Sequence, residues 1–242
     1  TLGEFVAASG YTDVDSLGSP QDAFVATWYD QAGSNDATQT TASDQPKIVN
    51  AGALVTENGK VGIDFSAHSL ATASAISLTN QSIFAAIKLD TTITAASSQQ
   101  RLLMNDAGTA DVFAFGATTG TLTNERVSWL SVDNGNVYGS GQTSNDISSG
   151  QYLYSAIFNT SPSTAIYQNG TALSLTPTSG ESSGGAFTNT IYPQGFQRIG
   201  ATSTGTTPFD GKVHEIIIYN SDKSALRTAI EGNINGRFSI YT

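Results

Sequence analysis

Carboxylate side chains are the first residues to consider, because enzymatic cleavage of a glycosidic bond needs two of them facing one sugar. The acids within strand-like segments are Asp64, Asp111 and Glu215. They are far apart in sequence, and no closely spaced acidic run follows one strand. Glu215 is on the predicted face of Val213 and Ile217, where a structural ion pair near a sheet edge is the expected role. The pattern predicts no catalytic pair, and a carbohydrate-active enzyme of an uncommon type stays an alternative.

A turn rich in side-chain oxygen atoms that can ligate a metal ion follows the segment 24–29. Asp30, Asn35 and Asp36 lie in this turn, and Asp210 precedes the last long apolar segment. Carboxylate and amide oxygens are the ligands that Ca²⁺ prefers. These four residues are therefore the candidate metal ligands, with Ca²⁺ as the candidate cofactor. The alternative is that Asp30 and Asn35 hydrogen-bond with backbone groups of their own turn.

Aromatic and short polar residues after position 128 form a second candidate site. Aromatic rings stack on the C–H faces of pyranoses, and amide or carboxylate groups hold the hydroxyls. The candidate carbohydrate-binding residues are Trp129, Asp133, Asn134, Asn136, Tyr138 and Tyr192. The alternative for 133–136 is a plain turn. Trp28 and Tyr29 are instead expected in the core.

Other chemistries find less support. The chain has no cysteine, so thiolate catalysis, disulfides and Cys-based zinc sites are excluded. It has two histidines, of which His214 is expected to be half-buried beside Ile216 and Ile218. The net charge of -10 argues against nucleic acid and anionic membrane surfaces as partners. No apolar run is long enough to span a bilayer.

The elements that must position these residues are short strands. Runs rich in Val, Ile, Phe, Tyr and Thr alternate with Gly, Asn, Asp and Ser clusters, a rhythm typical of sandwiches. Strands are predicted at 24–29, 83–89, 112–115, 126–132, 152–159, 164–168 and 212–219. Asn58-Gly59 and Asn169-Gly170 predict hairpin turns.

One helix is predicted near the end of the chain. Ser221 or Asp222 can cap it, and apolar residues recur every four positions from Leu226 through Ile230 to Ile234. Gly236 is the predicted stop, with a last strand at 238–241.

Three segments together resemble laminin G-like domains of the concanavalin A-like superfamily. They are 28–39, which begins Trp28-Tyr29-Asp30-Gln31, the hairpin at 167–170, and 209–220 with its trailing helix. The resemblance implies an all-β fold, a concanavalin A-like jelly-roll sandwich of two antiparallel sheets with one short C-terminal helix. Such domains occur in secreted bacterial proteins and in phage tail or fibre proteins, and they serve many functions.

The segment 28–39 also resembles the catalytic domain of fungal and bacterial α-arabinofuranosidases. Those enzymes carry an acid after an Ile-Gly-Gly stretch, whereas Ile199-Gly200 is followed here by Ala201 and Thr202. Thr202 has no carboxyl to donate a proton, and the nucleophilic Glu of those enzymes has no counterpart here, Asp111 being the nearest acid. The resemblance thus supports the fold and argues against that activity.

These observations predict one domain over 1–242 that acts in recognition or adhesion outside a cytoplasm, as a secreted, cell-surface or virion protein. Only 12% of its residues are charged, which gives a neutral-polar surface suited to a polysaccharide or surface glycan as partner. A structural module of a fibre or surface assembly is the remaining alternative. The chain is expected to be part of a longer polypeptide or of a homo-oligomeric assembly.

Overall fold

Within the residues that the structure describes, two large antiparallel sheets of nine strands each make up most of the fold. The computed structural model describes residues 21–76, 81–94, 97, 99–104, 112–116, 126–133, 136–142, 145–158, 165–177, 196–200 and 207–242. Of the predicted site residues, Asp111, Asn134, Tyr192 and Thr202 lie outside this part of the chain.

Sheet A has the order β1-β4-β8-β20-β10-β15-β16-β17, with β5 paired to β4. Its strands are β1 (Ala23–Phe24), β4 (Lys47–Asn50), β5 (Ala53–Leu54), β8 (Ile63–Asp64), β10 (Gln81–Leu89), β15 (Gly150–Phe158), β16 (Ala165–Gln168), β17 (Thr171–Ala172) and β20 (Gly211–Tyr219). The long strands β10, β15 and β20 form its centre, where the register is continuous over nine residue pairs between β10 and β15.

Sheet B has the order β18-β14-β13-β12-β11-β19-β9-β3-β2. Its strands are β2 (Thr27–Trp28), β3 (Ala37–Thr38), β9 (Leu70–Ile76), β11 (Gln100–Met104), β12 (Val112–Phe115), β13 (Val127–Asp133), β14 (Asn136–Gln142), β18 (Thr176–Pro177) and β19 (Phe196–Ile199). A separate hairpin pairs β6 (Thr56–Glu57) with β7 (Lys60–Val61). Among the described strands β2 is the last of sheet B, and the loop after it lies at this margin of the sheet.

The main core fills the space between the two sheets. Ile87 of sheet A and Phe113 of sheet B are both fully buried in it, together with a cluster of aromatic rings around Tyr154. The apolar alternation of these strands produces that layer, because residues two apart face the same side. This confirms the predicted all-β sandwich of two antiparallel sheets with one C-terminal helix.

The helix α1 (Arg227–Phe238) covers the outer face of sheet A and makes a second, smaller core. Phe84 and Leu153 are buried there beneath Ile234. Short 3₁₀ turns occur at Ala42–Asp44 and Ser224–Leu226. Within the described residues, no helix has the length and apolar character that crossing a bilayer demands.

The helix end was predicted wrongly. It runs past Gly236 to Phe238 and ends where Ser239 takes the left-handed conformation, with φ of 53°. Asn235 explains the stop, because its side-chain oxygen accepts from the amides of Ile240 and Tyr241 at 2.8 and 3.0 Å. Residues 239–242 consequently form no strand.

The predicted hairpin turns are confirmed. Asn58 and Gly59 have φ of 49° and 71°, and Asn169 and Gly170 have 51° and 77°. Two successive positive φ values are what a two-residue hairpin turn of this type needs. The first turn builds the β6–β7 hairpin, and the second joins β16 to β17.

A bulge in β20 overturns the predicted faces of that strand. Val213 pairs with Ile87, yet Glu215 pairs with the next residue, Ala86, so His214 is the extra residue. A bulge changes the side on which the following residues lie. Val213 therefore belongs to the main core, whereas Glu215 does not share its face as predicted, and His214 does not share the face of the core residues Ile216 and Ile218.

Candidate functional site

The loop 29–36 between β2 and β3 is held by carboxylates that accept backbone amides. Asp30 Oδ1 accepts from Ala32 N at 2.8 Å, and Asp30 Oδ2 accepts from Asn35 N at 3.2 Å. Asp36 Oδ1 in turn accepts from Asp30 N at 2.9 Å. The loop thus has the Asx-turn network that the sequence left open as the alternative to a metal site.

Asn35 fastens this loop to the neighbouring strand β9. Its side-chain amide donates to Ser74 O at 2.8 Å, and its side-chain oxygen accepts from Ser74 N at 3.0 Å. The Asn35 side chain thereby replaces a backbone pair beyond the last register pair of β3 and β9, Ala37 with Thr72. Hydrogen bonds within the loop and to the neighbouring strand both hold it in place. Such a loop has little conformational freedom to lose when a ligand binds.

Hydrogen bonding keeps Asp30 ionised. The amide of Ala32, followed by that of Asn35, lowers the pKa of the Asp30 carboxyl from its ordinary value. The loop therefore carries negative charge over the whole neutral range. In the described residues, neither Asp30 nor Asp36 takes part in an ion pair.

Tyr29 begins the loop, and its position corrects the expectation that it lies in the core. It is 65% exposed, whereas the adjacent Trp28 is half-buried and its ring lies 6.4 Å from that of Phe65. Gln31 donates from its side-chain amide to Tyr29 O at 3.0 Å, which fixes the backbone beneath the ring. No pattern within the two-residue strand β2 indicates which of these two rings is buried, because Tyr29 follows the strand.

Of the predicted metal ligands, the structure brings together Asp30, Asn35 and Asp36 but not Asp210. The side chain of Asp210 instead accepts from Ser66 Oγ at 3.4 Å, and its amide donates to Gln100 Oε1 at 3.1 Å. Both carboxylate oxygens of Asp30 already accept amides, which fits the turn network better than a shared ion. Among the described residues, no group of three or more His, Cys, Asp or Glu side chains could hold a metal.

Four of the six predicted carbohydrate-binding residues belong to one hairpin of sheet B, whereas Asn134 and Tyr192 lie outside the described residues. Trp129 is within β13, paired with Phe113 of β12, and Tyr138 of β14 pairs with Ser131. Asp133 and Asn136 form the last register pair of this hairpin, so they flank its tip. The topology thus places these four positions on adjacent strands, at the far side of sheet B from β2.

The acids considered for catalysis have structural contacts. Asp64 accepts from the backbone amide of Ser66 at 3.0 Å. Glu215 forms the predicted ion pair, with Arg237 of α1, but it does so from the central strand β20 and not near a sheet edge. Sequence reasoning missed Glu231, a carboxylate of α1 that is 2% exposed and accepts from Ser155 Oγ at 2.7 Å.

Comparison with known proteins identifies the fold. No family model matches the chain, and no curated protein matches it either. Among solved structures, an arabinofuranosidase complexed with arabinofuranosyl-α-1,2-xylobiose has a TM-score of 0.58 at 14% identity, over 96% of this chain and 54% of that one. A GH54 α-L-arabinofuranosidase soaked with a cyclic sulfate inhibitor has a TM-score of 0.56 at 15% identity, over the same shares.

A native heptameric SAP-like pentraxin from Limulus polyphemus also matches, at a TM-score of 0.45 and 11% identity, over 72% of this chain and 76% of that one. The chain spans about half the length of the arabinofuranosidase structures. At such low identity the likeness concerns the fold alone. The chain has a jelly-roll, lectin-like β-sandwich fold.

Proposed function

We propose that this protein is a carbohydrate-recognition module, and that the loop 29–36 is its first contact surface. The observation that carries the proposal is Tyr29, an aromatic side chain that is 65% exposed on a loop braced by its own carboxylates. An exposed aromatic ring offers a flat apolar face with a polar edge, which suits the C–H face of a pyranose. The neighbouring side chains of Gln31 and Ser34 are exposed and can hold hydroxyl groups.

Loop rigidity supports this role. Binding a sugar costs conformational entropy in both partners, and a loop that is already ordered loses less. The hydrogen bonds of Asp30 and Asn35 order this loop without any ligand. The hairpin of Trp129, Asp133 and Asn136 is proposed as a second contact surface, with Asn134, Tyr138 and Tyr192 as its further residues.

The setting of this function follows from the sequence motifs. The resemblance of 28–39 and 209–220 to laminin G-like domains favours an adhesion or recognition domain of a secreted bacterial protein or a phage fibre. We propose an extracellular location, on a virion, on a cell surface or in secretion. Ca²⁺ at Asp30, Asn35 and Asp36 is a prediction that the binding assay tests directly.

The test is a binding screen of the purified protein on a polysaccharide and glycan array, run with Ca²⁺ and then with a chelator. We expect binding to at least one polysaccharide without shortening of the polymer. Tyr29→Ala should lose that binding if the loop is the contact surface, whereas loss with Trp129→Ala alone would move the site to the hairpin. Release of new reducing ends would contradict a pure recognition role, and absence of all binding would reject the proposal.

Binding that disappears with the chelator and returns with Ca²⁺ would establish a metal-dependent site. Binding that persists would leave aromatic stacking and polar side chains as the basis of recognition, which the occupied oxygens of Asp30 favour.

A further inference from the structure

Charge is distributed unevenly along this chain, and the candidate loop lies in its acidic part. The first 46 residues contain no Lys, Arg or His, so Asp30 and Asp36 have no basic residue near them in sequence. The first basic residue, Lys47, pairs with Asp22 at 2.7 Å in sheet A. On sheet B, Arg198 pairs with Ala71 of β9, and this strand separates it from β3.

From this distribution, and resting on the proposed function, we infer that the loop 29–36 binds uncharged glycans and discriminates against sulfated or carboxylated ones. Anionic sugars need Lys or Arg donors, and a sulfate next to an ionised carboxylate is repelled. Tyr29 offers a stacking surface, and the exposed side chains at 31 and 34 are an amide and a hydroxyl. An uncharged sugar can stack on the Tyr29 ring, and its hydroxyl groups can form hydrogen bonds with the amide and the hydroxyl.

The hydrogen bonds that Asp30 accepts within the loop favour its ionised form when a ligand arrives. The backbone amides that Asp30 accepts lower the pKa of its carboxyl, so a sugar sulfate cannot induce its protonation near neutral pH. Two carboxylates acting across roughly 8 Å of water weaken an anionic ligand by about fivefold at low salt. Added salt should remove most of that difference, because screening shortens the range of the repulsion.

The experiment compares xylan, laminarin and galactan, each unmodified and chemically sulfated, with cationic chitosan, at about 20 mM and about 500 mM NaCl. We expect the unmodified form of the bound polysaccharide to bind about fivefold more tightly at low salt, with the two forms converging at high salt. Tyr29→Ala should lose binding of the unmodified form, because it removes the exposed ring on which the sugar stacks. Tighter binding of a sulfated form, or exclusive binding of cationic chitosan, would overturn the inference while leaving the proposed function intact.

Asp36→Asn removes one charge from the loop and keeps an oxygen that can accept from Asp30 N. It should reduce the fivefold preference to about twofold. Asp222→Asn is the matched control, since it changes the net charge equally and keeps an acceptor for Ser224 N next to the C-terminal helix. Equal effects of the two substitutions would assign the discrimination to net charge and refute a local origin. If none of the polysaccharides binds in either form, the proposed function itself fails.

Discussion

Glu231 provides a test of how the C-terminal helix is fixed to sheet A. Its carboxylate is 2% exposed, accepts from Ser155 Oγ at 2.7 Å, and pairs with Arg227 one turn earlier on the helix. The Arg227 guanidinium in turn lies 3.8 Å from the ring centroid of Tyr167. One carboxylate therefore connects the helix to two strands of the sheet.

We expect Glu231→Ala to lower the free energy of unfolding by about 3 kcal/mol. Breaking a buried ion pair from one side costs about 3–5 kcal/mol, and a buried hydroxyl left without an acceptor costs about 1–3 kcal/mol. The Arg227 side chain retains 17% exposure, so water can partly solvate both it and the freed hydroxyl, and the total loss should be near the lower end of the ion-pair range. For a domain of this size, the melting temperature should fall by about 6–12 °C.

Urea unfolding followed by tryptophan fluorescence measures this loss. Glu231→Gln keeps an acceptor for Ser155 Oγ and removes the charge, so we expect a smaller loss than with alanine. Glu231→Ala combined with Arg227→Ala should cost less than the sum of the single changes, because the two residues interact. A loss below about 1 kcal/mol for Glu231→Ala, with an unchanged denaturant slope, would refute the argument that this network fixes the helix.

Four further substitutions test the packing, the bulge and the loop. Gly211→Ala should lower the free energy of unfolding by several kcal/mol, because its new Cβ would lie 2.0 Å from Lys88 O. Gly232→Ala is the matched helix substitution: its Cβ meets no atom within 4 Å, and the free energy of unfolding should rise by about 1 kcal/mol. Thermal unfolding of the two variants compares them directly. Burial lowers the pKa of His214 in the folded state, and a hydrogen bond with Val61 opposes this shift more weakly. The neutral side chain therefore contributes stability above the unfolded pKa of about 6.5. That contribution is lost as the pH falls from there through the folded pKa. His214→Asn should flatten the dependence of the urea midpoint on pH between about 7.5 and 5, and an unchanged profile would contradict this assignment. Asp30→Ala should speed hydrogen exchange of the loop amides at 32 and 35, and unaltered protection would show that other contacts order the loop.

Much of the fold could be predicted because its strongest signals are local. β10 buries an almost uniform apolar run, so its existence did not depend on any partner strand. Asn58-Gly59 and Asn169-Gly170 specify backbone angles that few other residue pairs adopt. The end of α1 was harder to predict. Gly236 suggests a stop at that residue, but the helix ends at Phe238, where the Asn235 side chain accepts from the backbone beyond the helix.

The bulge at His214 illustrates what sequence periodicity cannot supply. Alternation along 212–219 gives one consistent set of faces, and one extra residue exchanges the faces beyond it. The contacts that accommodate the extra residue are distant in sequence. His214 Nδ1–H donates to Val61 O, 2.9 Å away, and the His214 ring lies 5.5 Å from the ring of Phe238. These neighbours come from a hairpin and a helix that period-two reasoning on one strand does not include.

The expectation that Tyr29 lies in the core was wrong for a related reason. The segment 24–29 alternates like one strand, in which Val25 and Trp28 would face opposite sides. In the structure both pack against the main core, three residues apart, because the chain leaves sheet A after Phe24 and joins sheet B at Thr27. The crossing turns the next side chain outward, which leaves Tyr29 exposed at the margin of sheet B. The aromatic residue that carries the proposed function is therefore exposed by the change of sheet, and no pattern within either two-residue strand encodes it.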